Sequence, residues 1–264
     1  MIKYSIPLIP NAIMWWLVAS LNRPLMEEYI GVYAIGIFAI ANKIPSLLNV
    51  LFSVFMVSWQ ISVIEEYKKV DFEKFYNKVL KSVFTFLTLF VIILSVLGQP
   101  LIQFIIDPKF IGAYKYIPIL CFSVLFSSVS SFVGANFSAS RKSKYFFYSS
   151  VFGAGVALIF NFLLIPVFGL YGVVFAILLS HFAMMMSRVI YSWKMVKITD
   201  VLYYTSLFLI CFCIVLSLTF IEETKVCISI ILLALVLFIF LTKKEFIKDL
   251  MMLKKLFNKE NTFV

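Results

Sequence analysis

The sequence predicts an all-helical integral membrane protein, a bundle of about eight transmembrane helices. Three observations predict it. First, 63% of the 264 residues are apolar and only 14% are charged, against roughly half and a quarter in soluble domains. A soluble core could not bury that much apolar surface and still keep a polar exterior. Second, the charges are gathered into short gaps. Third, the runs between the gaps are continuously apolar and long enough to cross a bilayer as helices, for which about 20 residues are needed. They lack the alternation of a membrane β-barrel, and only helices or closed barrels satisfy the backbone in lipid.

The spans follow in order. Residues 5–22 lie in an uncharged run between Lys3 and Arg23. Lys3, an apolar stretch and Val18-Ala19-Ser20 have the outline of a secretory signal, but Pro7, Pro10 and Trp15-Trp16 fit a retained span better. Residues 34–62 form the second span, interrupted only by Lys43. Spans three and four cover 82–98 and 116–138. The uncharged run of 43 residues from Tyr145 to Ser187 holds two helices, 146–165 and 170–190. They are split at Pro166-Val167-Phe168-Gly169, where Pro and Gly allow a tight turn. Residues 201–221 and a short span at 226–242 complete the set. Between the spans, 65–81 reads as an amphipathic interfacial helix, and 99–115 as a similar surface segment on the opposite side. The tail after 243 is basic and suits anionic lipid.

Orientation comes from Lys and Arg. One set of alternate gaps holds eighteen of them, among them Arg188, Lys194 and Lys197, and the other set holds four. This bias places both termini in the cytoplasm. The same bias accounts for the net charge of +10 without any nucleic-acid partner. Cys121, Cys211, Cys213 and Cys227 all lie in apolar runs and read as packing residues.

Polar groups inside the spans are the functional candidates. Lys43 stands far from the flanking charges Glu28 and Glu65. An intramembrane cation faces a wet cavity or a counter-charge; the alternative is a side chain that snorkels outward or pairs with Glu27 or Glu28. Asn42 and Pro45 make its helix polar and bent. Asn11, Asn49, Gln60, Asn136, Asn161 and His181 are either interhelical hydrogen-bonding groups or ligand contacts. No Asp or Glu falls inside a span, so an obvious proton- or sodium-coupling carboxylate is lacking. The chain shows no phosphate-binding Gly-rich loop, no metal-spaced His/Asp/Glu set and no nucleophile beside a base. No enzyme, cofactor or metal is expected. The enzymatic alternative, a membrane-embedded glycosyl- or acyltransferase, would need more acidic or His residues near the interface.

Several segments resemble a known family. Pro7-Leu8-Ile9-Pro10-Asn11, Trp15-Trp16 and Asn22-Arg23 are similar to the start of the second half of bacterial polysaccharide (O-antigen, Wzx-type) flippases. These are the oligosaccharide-lipid transporters of the multidrug/oligosaccharidyl-lipid/polysaccharide exporter superfamily. Ile35-Gly36-Ile37-Phe38-Ala39-Ile40-Ala41-Asn42-Lys43-Ile44-Pro45 and Trp59-Gln60 resemble the family's next helix. Asn161 to Pro166 with Gly169-Leu170-Tyr171-Gly172 resembles its late hairpin. One departure is Asn22, where the family often carries an acidic residue.

The resemblance implies a C-terminal six-helix bundle over 1–195, two additional helices over 196–242 and a basic cytoplasmic tail over 243–264. It implies a bacterial cytoplasmic membrane protein that moves an undecaprenyl-pyrophosphate-linked oligosaccharide repeat unit outward, by alternating access, in capsule, O-antigen or exopolysaccharide synthesis. Lys43 and Arg23 would meet the diphosphate, and Asn42, Asn11, Trp15 and Gln60 the sugars or the cavity wall. The partners implied are the lipid-linked oligosaccharide, membrane lipid, and either a separate N-terminal half or a second copy. The alternatives are a drug or other lipid exporter of the superfamily, or a non-transporting membrane assembly component. A cation-lined cavity would favour transport; a dry, tightly packed bundle would favour the scaffold.

Overall fold

The computed structural model describes residues 22–105, 108–221 and 228–243, and all regular structure in them is helical. A helical stretch at 22–29 precedes α1 (Val32–Ala41), α2 (Lys43–Glu66) and α3 (Phe72–Ile105). A 3-10 segment (Pro108–Tyr116) then leads into α4 (Ile117–Ala139), α5 (Lys144–Phe168), α6 (Leu170–Trp193), α7 (Val201–Phe220) and α8 (Ile228–Lys243). Among the described residues six helices, α2 to α7, are long and apolar enough to cross a membrane. The expected span at 5–22 lies outside the described residues except for its last residue, and α8 is shorter than the six.

Helices α4 to α7 fall close to where the uncharged runs put them, whereas three other regions differ. The stretch 34–62 is two helices. Pro45 has no N–H to give the Ala41 carbonyl. The helical run is interrupted three residues earlier, at Asn42, whose N–H reaches the Phe38 carbonyl at 2.9 Å. Lys43 is therefore the first residue of α2. Helix α3 also takes in residues 72–81 and 99–105 of the two segments that read as interfacial on either side. Phe72, Tyr76 and Leu80, one helical turn apart, are all buried, with Glu73, Lys74 and Lys78 exposed. That amphipathic face found protein rather than a headgroup layer: Tyr76 packs its ring against Trp59 and Phe132. Finally, residues 23–29, expected as a gap, continue a helix and turn only at Gly31, with φ 98°.

The α5–α6 hairpin turns on Gly169, at φ 58° and ψ −129°, a region that essentially only glycine occupies. Three residues on, a Cβ at Gly172 would stand 2.2 Å from the Leu164 carbonyl oxygen, so the two helices close up only because it is absent.

Helix α4 is the axis of the bundle, packed by α2, α3, α6 and α7. The gaps 65–81, 139–144 and 192–200 share one end of it. Asn77 holds the Lys197 carbonyl at 2.9 Å and accepts from the Thr199 N–H at 2.8 Å, Lys81 pairs with Asp200 at 3.1 Å, and Ser140 meets Met195. The opposite end carries the α5–α6 turn, the start of α4 and the 22–29 stretch. There Leu25, Met26, Ala34, Ile165, Leu170 and Val173 form a cluster.

Candidate functional site

A cavity of about 640 Å³ runs between α2 and α4, within the range of small-molecule sites. Helical geometry explains it. At about 100° per residue, Asn42, Asn49, Ser53 and Gln60 fall on one narrow stripe of α2, and all four line the cavity. The core face of the same helix carries Leu48, Met56, Trp59 and Val63. Its third face carries exposed Leu47, Val50, Val54 and Ile61.

The opposite wall is a hydroxyl ladder on α4. Ser123, Ser127 and Ser131 recur every fourth residue, with Ser128 beside them. Their protons go to their own helix: Ser123 donates to the Leu120 carbonyl (2.8 Å), Ser127 to Val124 (3.0 Å) and Ser131 to Ser127 (2.9 Å). Ile177 and His181 of α6, Phe38 of α1 and Asn22 also line it, and apolar side chains of α2 and α4, among them Phe52, Met56 and Leu120, fill in between the polar groups. Asn22 Oδ1 and Ser128 Oγ are buried without a hydrogen-bond partner among the described residues.

The sequence-predicted residues divide in three. Asn42 and Gln60 line this groove. Arg23 and Lys43 are exposed and are not among its lining residues, although each directly follows an asparagine that is. Lys43 is turned about 100° from the polar stripe, towards the face of Val50 and Val54. Asn11 and Trp15 lie outside the described residues. The described wall thus contains no Asp, Glu, Lys or Arg, where sequence reasoning expected cations. Among the described residues no group of three His, Cys, Asp or Glu is arranged to hold a metal.

Sequence reasoning passed over the serine ladder, because serine is neither charged nor rare enough to interrupt an apolar run. It also counted Arg188 with the basic gap residues. The structure buries Arg188, only 2% exposed, inside α6. Its guanidinium donates to Ser149 Oγ (3.1 Å) and Ser150 Oγ (3.3 Å) of α5 and to the Ser130 carbonyl (3.2 Å) of α4. It lies 5.3 Å from the Phe146 ring. Gly134 makes room, since a Cβ there would stand 3.1 Å from Nη1 of Arg188. A readable signal existed: Ser180, Met184, Arg188 and Ser192 share one helix face, and all four are buried.

The chain is similar to the capsular polysaccharide biosynthesis protein CapF of Staphylococcus aureus, 27% identical over 188 residues. The match takes in 69% of this chain and 47% of that protein, so the chain spans about half the length of the relative it matches. No family model matches, and no solved structure matches.

Proposed function

We propose that the chain works in capsular or related surface polysaccharide biosynthesis. In this reading it is part of a multi-pass transporter in the bacterial cytoplasmic membrane that carries an undecaprenyl-pyrophosphate-linked oligosaccharide outward. The observation that carries the reading is the groove between α2 and α4. Carboxamides and hydroxyls form a polar strip along an otherwise largely apolar groove, and such groups suit sugars. The similarity to CapF supports the capsule connection, and the alternating Lys and Arg gaps support the membrane topology, with both termini inside.

Arg23 and Lys43, beside the groove end marked by Asn22 and Asn42, meet the diphosphate. Asn42 and Gln60 contact sugar, the role that the family resemblance also implies for Asn11 and Trp15. The open side of the groove is closed by a separate N-terminal half or a second copy, and no covalent chemistry takes place. The test is deletion of the gene in its own host. The expected result is loss of surface polysaccharide with lipid-linked repeat units accumulating on the cytoplasmic leaflet. Normal surface polysaccharide, in a strain with no second transporter gene for that polymer, overturns the assignment.

A further inference from the structure

The two walls of the groove differ in the hydrogen bonds they have left to give. On α2, the side chains of Asn42, Asn49 and Gln60 are exposed and make no hydrogen bond to any described residue, so their N–H₂ donors stand free. On α4, Ser127 and Ser131 have each given their proton to a backbone carbonyl of their own helix, so what they present to the groove is an oxygen lone pair. The α2 wall therefore offers free carboxamide N–H₂ donors beside the accepting Ser53 oxygen, whose proton goes to the Val50 carbonyl, and the α4 wall offers mainly accepting oxygens, with the unpartnered Ser128 hydroxyl beside them. From Asn42 to Gln60 the polar stripe extends about 27 Å along the helix axis, close to the roughly 30 Å hydrocarbon thickness of a bilayer.

Resting on the transporter reading, we infer that this groove is the track for the uncharged part of the substrate and that it selects neutral sugars over acidic ones. A sugar hydroxyl is both donor and acceptor, so it can give its proton to Ser127 or Ser131 and accept from Asn49 or Gln60. An N-acetyl group matches the same pair through its N–H and C=O. A uronic acid carboxylate only accepts. On this track it can accept from the α2 carboxamides but meets no cation among the described lining residues, and an ionised carboxylate taken from water without a counter-charge is disfavoured. The diphosphate, doubly anionic, stays off the track for the same reason.

The experiment uses the full chain in nanodiscs of phosphatidylethanolamine and phosphatidylglycerol, with binding read by saturation-transfer NMR. The probes are chitotetraose (neutral) and tetragalacturonate (acidic), neither carrying lipid or diphosphate. Chitotetraose is expected to bind at least about tenfold more tightly than tetragalacturonate. Asn49→Leu with Gln60→Leu is expected to weaken chitotetraose about tenfold, the loss of one to two net hydrogen bonds. Val54→Leu, on the outer face of α2, should leave it unchanged. Asn49→Gln, which keeps the donor, retains binding, and helical circular dichroism confirms that each variant is folded. Equal binding of the two sugars, no binding of either at millimolar concentration, or a folded double variant that binds normally overturns the inference. The deletion phenotype reads the transporter assignment separately: sugar binding with a silent deletion keeps the track and removes the transporter.

Discussion

The candidate spans of α2 (Lys43–Glu66) and of α4 with the turn before it (Lys109–Ala139) match in mean hydropathy, yet 94% of the most apolar stretch is buried in the second and only 22% in the first. Hydropathy reports that each helix prefers an apolar solvent. It does not report whether that solvent is protein or lipid. What separates the two is side-chain size and its arrangement. Helix α4 carries Ser123, Ser127, Ser128, Ser130, Gly134 and Ala135 in positions that are all buried, and small residues let neighbouring helices approach from every side. Helix α2 divides into a core face, a polar stripe and an outer apolar face of large side chains. The groove exists because a hydroxyl ladder on the central helix meets a carboxamide stripe on a peripheral one.

The largest expected effect breaks the contact between these two helices at its most packed point. Phe132 of α4 is fully buried and stacks on Trp59 of α2 with ring centroids 4.2 Å apart. Its carbonyl also accepts from Trp59 Nε1 at 3.2 Å. Phe132→Ala is expected to cost about 3–5 kcal/mol, measured by reversible unfolding in detergent. A loss below about 1 kcal/mol would mean the helices do not pack as described.

A second effect tests how α4 tolerates a cation in its neighbourhood. Removing the hydroxyls around Arg188, with Ser149→Ala and Ser150→Ala together, leaves a buried charge short of hydrogen bonds and is expected to cost about 3 kcal/mol. Arg188→Met removes the charge along with its need for partners and should cost clearly less. The same unfolding assay compares the two, and the reverse order would show that the guanidinium itself, not its satisfaction, holds α4, α5 and α6 together.

The smallest effect sharpens the contrast from the α2 side. Val54, 70% exposed on the outer face, has little protein to lose, so Val54→Ala should shift stability by no more than about 0.5 kcal/mol. A loss as large as that of Phe132→Ala would mean that another protein surface covers this face of α2.

Much of the architecture was legible in the residues. The positions of α4, α5, α6 and α7 followed from where charges stop, and the hairpin followed from Gly169, whereas Pro166, expected to end the helix at 165, lies inside α5, which runs on to Phe168. The bend beside Lys43 followed from Asn42 and Pro45. Less legible were the extents of elements whose amphipathic faces meet protein. Residues 72–81 look interfacial because Lys74 and Lys78 alternate with Phe72 and Tyr76, and nothing local says that Trp59 and Phe132 will cover those rings. Of the site, Asn42 and Gln60 stood out as polar groups in apolar runs. The serines did not, and Lys43 stood out as a cation in an apolar run, which the structure places at the start of α2 and exposed.

The sequence by itself determined which segments are helices suited to an apolar solvent and which ends of them carry the positive charge. Those properties belong to single runs of about 20 residues, whose transfer free energy is close to a sum over their own side chains. Only the tertiary structure decided which face of each helix turns inward, that Arg188 is enclosed while Lys43 is exposed, and that the described groove wall is free of formal charge. These outcomes depend on partners far along the chain, such as Ser130 for Arg188 and Phe132 for Trp59. A helix has one hydropathy but several faces, and only its neighbours decide which of them is buried.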